Sequence, residues 1–179
     1  RRLDEEAEIV VFERTGYISY ANCGLPYYIG GTIEDAEELT LQTPESFWKR
    51  FRVQMKVHHE VTAIHPERKT VSVKNLENAE EFEESYDKLL LSPGAKPVLP
   101  KISGIGNEKL FTLRTVEDTF KIKKYIEEKK PKSVILAGGG FISLELAENL
   151  RESGMVVTIV QRPKQLMNPF DPDMASFIH

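Results

Sequence analysis

SVILAGGGFISLELAENLRESGMVVTIV, residues 133–160, is the stretch on which the fold turns. Ser133–Ala137 is a short apolar run of strand type, stopped by Gly138-Gly139-Gly140. Phe141–Arg151 then repeats apolar residues at helical spacing, Gly154 ends that helix, and Val156–Val160 is a second β-branched strand. Strand, helix and strand in this order make one βαβ unit, which implies a parallel sheet with a right-handed crossover. Residues 138–143 fit G-x-G-x-x-small, with Ser143 where a third glycine often stands. Glycines after a strand let the backbone approach a pyrophosphate, whose charge the free NH groups and dipole of the helix N-terminus bind. A purely structural tight turn is the alternative.

A dinucleotide site of this type expects an acid about 20 residues on, bound to the ribose 2′-hydroxyl. Gln161-Arg162 stands there instead. An amide beside a guanidinium favours a 2′-phosphate, because arginine makes bidentate, charge-assisted bonds to phosphate. The expectation is NADPH in preference to NADH; a solvated arginine after a strand is the plain alternative.

Working outward, Thr115 with Asp118 predicts a capped helix reaching about Lys130. Pro93 to Gly106 is rich in proline and glycine and is the candidate domain boundary. Before it, Lys88–Ser92 reads as a buried strand, and Glu77–Glu84 as a solvated turn and edge strand. From Arg52 to Leu76 the period is two, with a turn at Pro66-Glu67-Arg68, which predicts a β-meander or hairpin. Thr43-Pro44-Glu45 starts a helix running to about Phe51. Ala7–Phe12 reads as a buried strand ended by Glu13-Arg14-Thr15-Gly16. Val10–Glu13 and Thr158–Gln161 both look like second strands of dinucleotide-binding units. Arg1–Glu6 reads as the last turns of a helix, and Asp171-Pro172 as the start of one, so the chain looks like part of a longer one.

The 179 residues are 40% hydrophobic and 29% charged, ordinary for a soluble globular protein. A net charge of −4 with both signs dispersed argues against a nucleic-acid surface or a polybasic membrane surface. Ser133–Leu144, uncharged but broken by glycine, is too short to span a bilayer. One cysteine excludes an internal disulfide framework and a Cys-based zinc site, and suits a reducing cytoplasm. His58 and His59, adjacent on a strand, would point to opposite faces, so no metal site is expected of them or of His65. Trp48-Lys49-Arg50-Phe51-Arg52 reads as a helix end.

The lone cysteine sits in Ser19-Tyr20-Ala21-Asn22-Cys23-Gly24-Leu25-Pro26-Tyr27-Tyr28, between a polar turn and an apolar helical run. A thiolate at a helix N-terminus is stabilised by the dipole and free NH groups, which raises its redox reactivity. From spacing alone, an inert buried cysteine remains the alternative.

Three ordered motifs carry a resemblance: Ser19-Tyr20-x-x-Cys23 ten residues after a strand-terminal Glu13, Leu91-Ser-Pro-Gly-Ala-Lys-Pro97, and the Gly138 unit. Together they resemble the single-cysteine branch of the pyridine nucleotide–disulfide oxidoreductases. That branch includes coenzyme A-disulfide reductases, NADH peroxidases and NADH oxidases. Ala-Asn-Cys-Gly-Leu-Pro-Tyr-Tyr is most similar to the coenzyme A-disulfide reductase members, with Asn22 where peroxidases and oxidases usually carry Ser.

The resemblance implies an α/β fold: Rossmann-like FAD-binding (1–110) and NAD(P)-binding (111–179) lobes with a β-meander insertion, both incomplete. It implies that Glu13 and Arg14 bind the FAD ribose end, Val61 lies by the adenine, and Ser92-Pro93-Gly94 closes over the flavin nucleotide. Gly138, Gly139, Gly140, Phe141, Ile142, Ser143, Glu145, Gln161 and Arg162 would hold NAD(P)H. Ser19 and Asn22 would contact the coenzyme A thiol arm. In the implied cycle hydride passes from NADPH to FAD, and Cys23 exchanges with a coenzyme A disulfide through a mixed disulfide. The resolving sulfur then belongs to the substrate, which explains a single cysteine. Phe51 departs from a basic residue that contacts coenzyme A in some relatives. By the same resemblance the first FAD fingerprint precedes Arg1, and a second FAD segment and a dimerisation domain follow His179. The expected whole is a cytoplasmic homodimer acting on a small disulfide, and this stretch alone is not expected to turn over. The rivals are a peroxidase or oxidase cycling through a cysteine sulfenic acid, or a redox-inactive nucleotide-binding module.

Overall fold

A computed structural model describes residues 2–179. In chain order the elements are β1 (Val10–Glu13), β2 (Ser19–Tyr20), α1 (Leu25–Gly30), β3 (Thr40–Gln42), α2 (Pro44–Phe51), β4 (Gln54–Val57) and β5 (His59–His65). They continue with β6 (Thr70–Asn75), β7 (Glu81–Ser85), α3 (Val116–Lys129), β8 (Ser133–Ala137), α4 (Phe141–Glu152), β9 (Val156–Val160) and α5 (Pro172–Ala175). Residues up to Tyr20 with Thr40–Ala95 form one compact unit, and Ala21–Leu39 with Lys96–His179 form another. One dividing point falls inside the glycine- and proline-rich stretch after Pro93.

In the first unit β1 lies parallel to β4, from Val10 opposite Gln54 to Glu13 opposite Val57. α2 begins where Thr43-Pro44 predicted and ends at Phe51. Thr43 Oγ1 accepts from the Ser46 NH at 3.2 Å, and Ser46 Oγ accepts from the Thr43 NH at 2.9 Å. At this N-terminus hydrogen bonds from the Glu45 backbone and the Thr43 side chain hold the Glu45 carboxyl below the usual carboxylate range. β5, β6 and β7 form an antiparallel meander with the 3-10 turn Pro66–Arg68 at its first corner. Val71 and Val73 of β6, on one face of it, are buried. The Phe12 and Phe82 rings stand 6.3 Å apart. Lys56 Nζ lies 5.3 and 5.2 Å from their centroids and pairs with Glu84 at 3.2 Å.

Four expectations for this unit need correction. The period-two segment splits at His58, whose φ of 56° ends one strand and starts the next, so β4 joins β1 and only β5 onward forms the meander. His58 and His59 therefore do not share a strand. Residues 2–6 form no helix: the Asp4 carboxylate accepts from the Glu6 and Ala7 NH groups at 3.0 and 3.1 Å, a local turn that competes with helical bonding. Arg1 lies outside the described residues. Lys88–Ser92 forms no strand and is exposed, Leu90 at 87%, because no described segment offers it a ladder. β1 is half-open rather than buried.

The second unit contains the βαβ motif as read. β8 and β9 pair in parallel from Ser133 opposite Val156 to Ala137 opposite Val160, and α4 crosses between them. α3 starts at the Thr115–Asp118 capping box. Ile29 of α1, Leu136, Leu146, Leu150 and Met155 form the core, with Ile122 and Ile126 of α3 packed against it. α1 thus lies on the same apolar centre as the two longer helices, while Ile135, on the other face of β8, is 71% exposed. A parallel strand with apolar residues on both faces is suited to cover on both. Among the described residues no helix is long and apolar enough to cross a membrane.

Candidate functional site

The turn between β8 and α4 is built from three glycines with three different duties. Gly138 has a φ of 109°, which disfavours any side chain, and its NH donates to the Val160 carbonyl at 2.8 Å, tying the turn to the end of β9. Gly139 is covered: a Cβ there would overlap Gln161 Oε1 and Leu166 Cδ2, and its carbonyl accepts from the Met167 NH at 2.8 Å. Gly140 has nothing within 4 Å of where a Cβ would be. It precedes α4, twelve residues long, with no side-chain cap on its first NH groups. An uncapped helix N-terminus behind an open glycine fits the pyrophosphate of a dinucleotide. Phe141 and Ile142 are exposed at the head of α4, while Ser143 and Glu145 are half-buried. Gln161 is half-buried on the turn; Arg162 beside it is exposed, with no ion pair among the described residues.

In the same unit, Asn22, Cys23 and Gly24 form a 3-10 turn that runs directly into α1. Cys23 and Asn22 are both exposed, so the cysteine is not a buried one. Gly24 allows the turn to pack: a Cβ there would stand 3.1 Å from Leu39 and 3.2 Å from Ile33. α1 begins with Leu25-Pro26, whose missing NH costs nothing at a helix start, and ends at Gly31 with a φ of 92°.

In the first unit, Glu13 closes β1 and its Oε1 accepts from the Thr15 NH at 2.7 Å and the Thr15 hydroxyl at 2.8 Å. The carboxylate is thereby held at the strand end. Arg14 is exposed and pairs with Glu60 at 3.6 Å, a solvated contact worth little. Ser19 opens β2, Val61 is partly open on β5, and Ser92, Pro93 and Gly94 are exposed, Gly94 with a φ of 68°. Phe51 ends α2, its ring 4.7 Å from Phe47 and 5.0 Å from the Arg50 guanidinium.

The family model described as pyridine nucleotide-disulphide oxidoreductase matches residues 1–179. The chain belongs to that family. Its Rossmann-like α/β fold is the family's, with the meander β5–β7 inserted. It is 44% identical over 174 residues to a Staphylococcus aureus coenzyme A disulfide reductase, covering 97% of this chain and 39% of that one. It resembles the reduced Bacillus anthracis CoADR-RHD at 52% identity and a TM-score of 0.96, over 99% of this chain and 32% of that one. An engineered water-forming NADPH oxidase bound to NADPH is 34% identical with a TM-score of 0.87, over 97% of this chain and 38% of that one. The chain thus spans roughly two fifths or less of these relatives. In that oxidase a glycine and an aspartate eighteen residues later were both replaced by alanine, and the alanine after the aspartate by arginine. Ser143, Gln161 and Arg162 have the same spacing here.

In this family member the structure adds residues that motif reading passed over. Thr15 orients Glu13. Leu166 and Met167 close the back of the glycine turn, a role no local pattern announces. Asn149 is a buried polar residue on α4; its place on the stripe with Leu146 and Leu150 was the available signal.

Proposed function

We propose that this chain is the redox and dinucleotide-binding part of an FAD-dependent NAD(P)H oxidoreductase that reduces coenzyme A disulfide, or a related persulfide or polysulfide, through Cys23. The observation that carries the reading is an exposed lone cysteine on the turn leading into α1, in one unit with an uncapped glycine turn of dinucleotide type. The 44% identity to a coenzyme A disulfide reductase supports the substrate class.

In this reading the Cys23 thiolate attacks one sulfur of coenzyme A disulfide. A Cys23–coenzyme A mixed disulfide forms, and one coenzyme A thiolate leaves with the bonding electrons. Two electrons and a proton, drawn ultimately from NAD(P)H, break the mixed disulfide into Cys23 thiolate and a second coenzyme A thiol. When bound, FAD supplies the two-electron relay between the nicotinamide and sulfur. Glu13, oriented by Thr15, accepts hydroxyl donors of the FAD ribose. Arg14, Val61 and the Ser92-Pro93-Gly94 loop would hold the same cofactor when it is bound. Gly138–Ser143 cradle the NAD(P)H pyrophosphate, with Glu145 one turn along α4. Ser19 and Asn22 steady the thiol arm of coenzyme A. Residues 1–110 belong to the FAD-binding lobe and 111–179 to the NAD(P)-binding lobe, and the whole protein works as a cytoplasmic homodimer.

NADPH is preferred over NADH. Gln161 lacks the charge that would repel a 2′-phosphate, and exposed Arg162 offers it a guanidinium. The engineered NADPH oxidase lost an acid and gained an arginine at the matching spacing, which supports this choice.

The likeness to that oxidase also keeps a second reading open, in which Cys23 cycles through a sulfenic acid with peroxide or oxygen as oxidant. Full-length protein is supplied with NADPH and, separately, coenzyme A disulfide, peroxide and oxygen. The disulfide is expected to give the fastest turnover, lost in Cys23→Ser. Disulfide reduction that survives Cys23→Ser would refute the mechanism, and faster turnover with peroxide or oxygen would favour the second reading.

A further inference from the structure

The helix that follows Cys23 is held at its far end by a buried polar side chain for which the mechanism above has no use. Asn149, on α4, is 2% exposed and shares a helical face with Leu146 and Leu150. A carboxamide in such a place is costly unless both its ends are bonded. Both are: Nδ2 donates to the Glu145 carbonyl at 2.8 Å, and Oδ1 accepts from the Thr32 hydroxyl at 3.2 Å. Thr32 stands just beyond Gly31, where α1 stops. Gly30, the last residue of α1, lies flat on the same side chain. A Cβ on it would stand 2.5 Å from Asn149 Cβ and 2.8 Å from Asn149 Oδ1, nearer than real Cβ atoms approach. From α3, Lys123 Nζ lies 5.5 Å from the centroid of the Tyr28 ring and donates to the Ile29 carbonyl at 3.4 Å. Tyr28 also meets the Phe120 ring edge-on at 5.6 Å.

α1 is six residues, about 9 Å at 1.5 Å per residue, so Gly30 lies less than two turns from the Cys23 turn. We propose that Asn149, through Gly30 and Thr32, is a positioning residue that sets how α1 lies on α4, and hence where Cys23 stands relative to the glycine turn at the head of α4. Leucine at position 149 would satisfy the apolar stripe; the amide adds a bond to Thr32, and the missing Cβ at Gly30 sets the depth of contact. The inference rests on Cys23 being the redox sulfur.

The test uses the full-length flavoprotein and the variants Gly30→Ala, Asn149→Gly, the double variant, Thr32→Val and Cys23→Ser. Two quantities are measured: turnover per bound flavin with KM for NADPH, and the rate at which iodoacetamide alkylates Cys23 in reduced protein across pH, read by peptide mass spectrometry. Gly30→Ala is expected to lower kcat about tenfold with KM for NADPH within about twofold, because small misplacement of a reacting group is costly. The Cys23 alkylation profile is expected to shift with it. Asn149→Gly alone is expected to lower kcat and shift alkylation, because it takes away the bond to Thr32. Since it also removes the atoms an added Cβ would meet, the double variant is expected to be less impaired than the product of the two single defects, a non-additive result that separates contact from general damage. Wild-type kcat and alkylation in Gly30→Ala or in Asn149→Gly, or single defects that simply multiply in the double variant, would overturn the proposal. Should Gly30→Ala not fold, Thr32→Val decides. It removes only the hydroxyl on Asn149 and is expected to lower kcat about threefold with the same sense of alkylation change, in line with the net worth of one hydrogen bond; no change in either overturns the proposal. Disulfide reduction persisting in Cys23→Ser would instead defeat the assignment of the redox sulfur, while the alkylation measurements still judge the positioning role.

Discussion

The ends of β1 and β9 invite comparison. Each is the end of a strand in a parallel pair, and each is followed by an exposed arginine. β1 ends in an acid, Glu13, whose carboxylate is held by Thr15 within its own turn. An amide, Gln161, follows β9 and lies over Gly139. Arg14 is engaged with Glu60, whereas Arg162 has no ion pair among the described residues. An oriented carboxylate accepts ribose hydroxyls and repels phosphate; a neutral amide lacks that repulsion, and a guanidinium beside it attracts phosphate. Under the proposed function, the first strand end would take an adenosine with a bare ribose and the second a 2′-phosphorylated one, the pairing of FAD with NADPH.

Exchanging the two side chains tests that contrast. Glu13→Gln gives β1 the group found after β9. Flavin affinity of the full-length protein is expected to fall about tenfold or more, since hydrogen bonds to a charged group contribute about 1.5–3 kcal/mol. Flavin content on purification and a fluorescence titration measure it, and unchanged affinity would remove Glu13 from the site. Gln161→Glu makes the opposite exchange. The ratio of kcat/KM for NADPH to that for NADH is expected to drop about tenfold, through repulsion of the 2′-phosphate and a new acceptor for the 2′-hydroxyl. A ratio that does not move would mean that specificity is set elsewhere. Arg162→Ala is the mildest change, because an exposed ion pair is worth about 1 kcal/mol or less. It is expected to raise KM for NADPH by a few-fold at low salt, to leave NADH alone, and to lose its effect as salt rises. An equal effect on both cofactors would contradict a contact with the 2′-phosphate.

Legibility in the sequence followed the range of the interactions. The βαβ unit was readable residue by residue because its signals are local: glycines at the turn, Gly154 at the helix end, β-branched runs on either side. The helices starting after Thr43 and Thr115 were likewise written in their caps. What escaped depended on partners distant in the chain. β4 looked like part of the meander because periodicity does not say which strand it joins, and only the positive φ at His58 separates it from β5. Lys88–Ser92 has the apolarity of a strand but finds no ladder among the described residues. Asp4 turned the opening residues away from a helix with a single carboxylate. Of the candidate site, Cys23, Glu13 and the glycines were named from sequence. The supporting shell of Thr15, Leu166, Met167 and Asn149 was not, since a supporting residue is defined by what it touches.

The most direct test of the central claim is the mass of the protein after one exchange. Oxidant-free, pre-reduced full-length protein is mixed with excess coenzyme A disulfide, quenched with acid, digested without reductant and examined by mass spectrometry. The account predicts one coenzyme A in disulfide linkage on the peptide carrying Cys23, removed when NADPH in excess over the disulfide is added and the disulfide is consumed before the quench. A Cys23 peptide that stays unmodified under conditions where the protein turns over would contradict it.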